Sequence, residues 1–283
     1  MNTDMGDITF RAFVPSKILK TPVPVILFQS GYGSTSESHA PLLQAISNAG
    51  YVVVVPDRKD DKKGGKESVE LAFAGFAEGK PASDYNAMST DGTHLAATLD
   101  WVKSQTVING QAIDTTKISS AGFSMGSLEA IALASGPYAN EIAACVIISS
   151  SSGEELESFY RFSQSELVKN VSTFNIPSLW ITSDKDSQYK ATKDLYDSAP
   201  SPASFLAFKD QVLDLSLDLT DATSIWSSNA DEMMPGLAQH FALAAERNVV
   251  SDIPVIAFLD HYLKDIESAP LASAESIFEL RSK

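Results

Sequence analysis

KISSAGFSMGSLEAIALAS, residues 117–135, changes character halfway along its length. The first seven residues, KISSAGF (117–123), read as a β-strand, and MGSLEAIALAS (125–135) reads as a helix. Between them Gly122-Phe123-Ser124-Met125-Gly126 fits the pattern G-x-S-x-G. Glycine and serine are common, so the pattern alone is weak; a strand before it and a helix after it give it meaning. At a tight strand-to-helix turn, small residues two before and two after the serine relieve crowding. Such a turn lifts the Ser124 hydroxyl out of the sheet and aims a helix N-terminus at negative charge developing beside it. The competing reading is an N-cap serine that only closes a helix end.

On either side of this stretch the chain keeps the same rhythm. VPVILFQ (23–29), YVVVVP (51–56) and AACVIIS (143–149) are apolar runs without alternation, as strands buried on both faces are. SESHAPLLQAISNAG (36–50) reads as a helix closed by Gly50, and DGTHLAATLDWVKS (91–104) places Leu95, Leu99 and Val102 on one stripe. PSLWIT (177–182) and ASFLAF (203–208) read as strands, the second as the last of the core. DIPVIAFLDHYLKD (252–265) closes the chain as an amphipathic helix. Strands alternating with helices predict an α/β fold, a mostly parallel sheet covered on both faces, in one domain spanning 1–283. Insertions at about 58–88, 150–172 and 209–235 break the rhythm and read as loops or lids. The third carries LDLSLDL (213–219), read as an alternating strand, and Trp226.

The 283 residues hold 21 basic and 36 acidic side chains, a formal charge of −15. Such a surface repels nucleic acid and anionic membranes, so neither is an expected partner. The one cysteine, Cys145, lies in AACVIIS; it excludes an intramolecular disulfide and predicts a buried, inert thiol. The opening MNTDMGDITFRAFV has no signal-peptide core, and no apolar run reaches bilayer length. A soluble, cytoplasmic protein is the expectation.

A neutral serine hydroxyl is a poor nucleophile and needs a base to accept its proton. The chain has four histidines, His39, His94, His240 and His261. Where this turn carries a nucleophile, an acid and then the base follow it in the chain, which leaves His240 and His261. His240 follows Pro235-Gly236 after the last core strand, the loop position such a base takes; His261 lies inside the closing helix, and His39 reads as a helix-surface histidine. The turn after PSLWIT offers two acids, Asp184 and Asp186, with Asp186 preferred. Its role is to accept the second imidazole N–H and hold the ring's tautomer.

Taken in order, SGYGSTSESHAPLLQAISNAGYVVVVPD, GFSMGS, IPSLWITSDKDS and GLAQHFALAAE resemble the dienelactone hydrolase and cutinase-like polyesterase branch of the α/β-hydrolases, which includes PET hydrolases. Plant chlorophyllases share a similar first segment. The resemblance spans roughly residues 22–265 and implies the α/β-hydrolase fold. It also implies Tyr32 and Met125 as backbone N–H donors of an oxyanion hole, and it favours Asp186 and His240 as acid and base. Polyesterases carry an aromatic clamp after the strand matching AACVIIS, where this chain has Ser149-Ser150-Ser151-Ser152, a departure that weighs against polymer substrates. Here the acid-to-base connection is also longer, by the 209–235 insertion.

The expected activity is hydrolysis of small or medium carboxylic esters through an acyl-enzyme, with no cofactor and no metal. Lactones, thioesters, chlorophyll-type esters and polyesters are alternative substrates, and a noncatalytic binding protein on the same fold is the alternative outside enzymes.

Overall fold

The computed structural model describes residues 8–31, 36–58, 93–150, 164–184, 188–208, 252–266 and 277–283. Its centre is built from the β-branched runs. β1 (Ile8–Phe13) is followed by β2 (Val23–Gln29), β3 (Val52–Arg58), the two-residue β4 (Val107–Ile108) and the long β5 (Gln111–Phe123). β6 (Ala144–Ile148), β7 (Ser178–Ser183), β8 (Ala203–Phe208) and β9 (Ile277–Ser282) complete the described strands. The sheet order is β1-β3-β2-β5-β6-β7-β8-β9, with β4 paired to β5. From β3 to β8 every neighbouring pair is parallel; β1 and β9 are antiparallel edges.

Alternate residues of the central strands serve two cores. Val25, Leu27, Cys145, Ile147 and Trp180 face one side, where they pack with Leu95, Leu99 and Val102 of α2 (Thr93–Lys103) and with Leu128, Ile131 and Leu133 of α3 (Gly126–Ser135). Ile26, Phe28, Val146, Ile148 and Ile181 face the other, against α1 (Ala40–Asn48) and α6 (Asp252–Lys264). α4 (Gln164–Val171) and α5 (Tyr189–Ser198) join the first layer through Leu167, Val171, Leu195 and Tyr196. Both faces are dry, which is why these strands show no polar alternation. The α/β arrangement and the strands expected at 23–29, 143–149, 177–182 and 203–208 are therefore present, to within one or two residues.

Three differences stand out. The strand expected at 117–123 begins six residues earlier, because Gln111 and Ala112 pair with β4 across a turn in which Asn109 and Gly110 have φ of 47° and 87°. The sheet does not stop at β8, and α6 does not close the chain: Ile277–Ser282 returns as an antiparallel edge on β8. β1 makes the opposite edge, its alternating ITFRAF pairing with β3. Of the expected insertions, residues 59–88, 151–163 and 209–235 lie outside the described residues, and with them LDLSLDL and Trp226; Gln164–Val171 is helix.

One end of the sheet is held by a polar knot. The Tyr51 hydroxyl, just ahead of β3, donates to Asp260 of α6 at 2.7 Å, and Lys264 bridges Asp260 and the Ala49 carbonyl at 2.9 and 2.6 Å. Its ammonium also lies 3.7 Å from the centre of the Tyr51 ring. Burial first, and then the bond to Asp260, push the Tyr51 hydroxyl far above the usual phenol range, so it stays a donor. Among the described residues, no helix is long and apolar enough to cross a membrane.

Cys145 has no exposed surface in β6, and burial pushes its thiol up to about 12, against a smaller opposing pull from the Ser120 hydrogen bond. At pH 8 the thiol is then almost entirely protonated. The native protein should accordingly resist a disulfide reagent at pH 8 for hours and release one equivalent once unfolded in urea; rapid native reaction would contradict the burial.

Candidate active site

The parallel strands share a carboxyl edge, and Ser124 stands on it between the end of β5 and the start of α3. Its φ is +53°, in the left-handed region that costs a non-glycine residue of order 1–3 kcal/mol. Several bonds hold it there. The Ser124 N–H donates to the Ile148 carbonyl at the end of β6 (2.9 Å), and the Ser124 carbonyl accepts the Ser127 N–H (3.1 Å) and the Ser127 hydroxyl (2.6 Å).

The two glycines of the turn answer to backbone contacts. A Cβ on Gly122 would lie 2.1 Å from the Gly126 carbonyl oxygen, and one on Gly126 would lie 2.2 and 2.4 Å from the carbonyl oxygens of Gln29 and Ser30. Neither backbone can yield, so α3 reaches the end of β2 only without those methyl groups. Close approach places the segment after β2 beside the serine: a Cβ on Gly31 would sit 3.3 Å from Ser124 Cβ and 3.0 Å from the Phe123 ring. α3 is buried on nearly all sides, which explains its small and aliphatic composition.

Ser149 repeats the strain next door. It follows β6 with φ +46°, and its N–H donates to the Ile181 carbonyl of β7 (2.8 Å). Ser150 is fully buried; its N–H donates to Thr192 Oγ1 of α5 (2.9 Å), and its hydroxyl lies 2.8 Å from Ser127 Oγ. Serine therefore packs into the interior at both 149 and 150. Across β7, the Asp184 N–H is tied to the Phe208 carbonyl of β8 (3.0 Å).

Two buried polar residues near the turn escape a reading by motif. His39 is 1% exposed, with its ring edge-on to Phe28 and Phe123 at 5.4 and 5.5 Å. The helix-surface reading is thus wrong. His39 ends the 3-10 turn Ser36–His39 ahead of α1, and helical periodicity does not assign it a face. Glu129, fully buried in α3, accepts the Leu95 N–H at the start of α2 (3.2 Å), where the helix dipole favours an anion. Its signal is an acid alone in the apolar run LEAIALA.

Of the expected site residues, Ser124 and Met125 are on the carboxyl edge, Met125 buried as the first residue before α3. Tyr32, Asp186 and His240 lie outside the described residues; Asp184 and Gln188 bracket the segment that contains Asp186. His261 is exposed and lies one turn from Lys264, in the part of α6 tied to Ala49 and Tyr51. Those residues precede β3, whose seven residues span roughly 20 Å to the edge that carries Ser124. The fold does not bring His261 to the serine. Among the described residues, no three of His, Cys, Asp and Glu gather as a metal site would need.

The model of the dienelactone hydrolase family matches residues 9–193, a span that holds the Ser124 turn and the turn after β7 and ends before residue 240. No curated protein matches the chain.

Gly126→Ala is expected to destabilise the protein by about 2–3 kcal/mol or more, because its methyl would press on the fixed carbonyls ending β2. The check is the urea midpoint, and an unchanged midpoint would show that α3 approaches β2 less closely.

Proposed function

Because the chain belongs to the dienelactone hydrolase family and so is a hydrolase of the α/β-hydrolase fold, we propose that it cleaves small or medium carboxylic esters with Ser124 as nucleophile, His240 as general base and Asp186 as the acid orienting that base. The observation that carries this reading is the left-handed backbone of Ser124 at the carboxyl edge of the sheet. A serine in that conformation, between a strand and a helix and flanked by Gly122 and Gly126, is the arrangement in which a nucleophile is presented at such a turn. The whole chain is read as one catalytic domain.

In the proposed reaction His240 takes the Ser124 proton as the hydroxyl attacks the ester carbonyl. The tetrahedral oxyanion is held by the N–H groups of Met125 and Tyr32. Met125 caps the N-terminus of α3, where the first amides have no acceptor within the helix, and Tyr32 follows the Gly31 backbone that packs against Ser124. His240 then hands its proton to the departing alcohol, and water repeats the sequence on the acyl-enzyme. Protons balance without a metal or organic cofactor. An intramolecular ester, a lactone, opens by the same steps, and the family match favours it as the second substrate class.

A panel of p-nitrophenyl esters of rising chain length, run beside simple lactones, tests activity and separates the two classes. Ser124→Ala and His240→Ala should each lower kcat by about 10³-fold or more, His261→Ala should leave it unchanged, and Asp186→Asn should cost more than Asp184→Asn. Undiminished turnover in Ser124→Ala would sink the assignment. A fluorophosphonate should label wild type at Ser124 and leave Ser124→Ala unlabelled.

A further inference from the structure

Two strained serines, Ser124 and Ser149, stand at the ends of the neighbouring strands β5 and β6. One set of buried hydroxyls touches the segments that hold both. Ser127 Oγ lies 2.6 Å from the Ser124 carbonyl and 2.8 Å from Ser150 Oγ, and the Ser150 N–H donates to Thr192 Oγ1 at 2.9 Å. All three residues are fully buried. Thr192 lies in the first turn of α5, its own N–H bonded to the Gln188 carbonyl, so it sits just past the turn that follows β7. The other end of that turn is pinned where the Asp184 N–H meets the Phe208 carbonyl. The hydroxyls therefore link the serine turn to one anchor of the segment that contains Asp186.

We propose that Ser127, Ser150 and Thr192 form a positioning clamp that keeps the Ser124 turn in register with the acid-bearing turn after β7. The inference rests on the reading of Ser124 as nucleophile and Asp186 as acid. None of the three hydroxyls acts on substrate. Their work is to hold the strained Ser124 carbonyl after one strand and the Ser150 amide after the next, so that the Ser124 turn and the start of α5 keep fixed positions relative to each other. A hydroxyl suits this because Ser127 can donate its one proton to the Ser124 carbonyl while its oxygen accepts the Ser150 hydroxyl, all within a fully buried site. In an active site a misplacement of about 1 Å can cost about 100-fold in rate, whereas substrate binding elsewhere in the cleft need not change.

The test uses the full chain with Ser127→Ala, Thr192→Val, the double variant and Thr192→Ser, each checked for folding by circular dichroism. Steady-state hydrolysis of p-nitrophenyl butyrate and the rate of fluorophosphonate labelling at Ser124 are read together. Each single hydroxyl deletion should lower kcat and the labelling rate by about 10- to 100-fold with KM within about threefold. Thr192→Ser should restore both. The double variant should be no slower than the slower single, because one break already opens the clamp. Losses that multiply, a loss confined to KM, or wild-type rates in Thr192→Val would each overturn the clamp. Should Thr192→Val fail to fold, Thr192→Ala set against Thr192→Ser reads the same hydroxyl. A Ser124→Ala control keeps the two ideas apart: if it stays active the nucleophile reading fails, while serine-dependent activity indifferent to the hydroxyls removes only the clamp.

Discussion

The approach of the first turn of α3 to the end of β2 is the contact on which the rest of the carboxyl edge depends. Gly126 lies so close to the Gln29 and Ser30 carbonyls, and Gly122 so close to the Gly126 carbonyl, that a single methyl group on either has nowhere to go. That proximity forces the chain to reverse within two residues, and Ser124 takes the left-handed conformation as a result. The same proximity lays Gly31 against the serine side chain, so the segment after β2 and the start of α3 meet at one point. Strain at Ser124 is the local consequence of a packing demand set by three backbone segments.

The two ends of the sheet are built from different interactions. At the carboxyl edge the strained turns are held by short hydrogen bonds among backbone, serine and threonine. At the opposite edge α6 is fastened to the start of β3 by charge: Asp260 and Lys264 surround the Tyr51 hydroxyl and ring. Neutral hydroxyl contacts hold atoms at short range without the strong fields of a buried ion pair. Fastening α6 at the far edge also commits His261 to that edge.

Much of the fold was legible because each central strand is buried on both faces, and a chain that must hide every side chain spells itself in Val, Ile and Leu. The edges were less so. β9 depends on a partner distant in sequence, the β8 residues Ser204–Phe208, and the early part of β5 on a two-residue strand, Val107–Ile108, too short to announce itself. His39 was misplaced for a related reason: the rings that enclose it, Phe28 and Phe123, come from two strands 95 residues apart in the chain. Glu129 shows the same limit, since only folding brings it to the amide of Leu95.

Residues 117–135 by themselves determined that a serine would stand at a strand-to-helix turn, because the change of period and the two glycines are local properties of the chain. The alternation of apolar strands and amphipathic helices likewise determined a mostly parallel sheet. Only the tertiary structure decided why those glycines are required, which histidine is turned away from the serine, and that Ser127, Ser150 and Thr192 come together. The physical reason is range: periodicity and turn chemistry act over a few residues, whereas steric exclusion and buried hydrogen bonds act between segments that meet only once the sheet has formed.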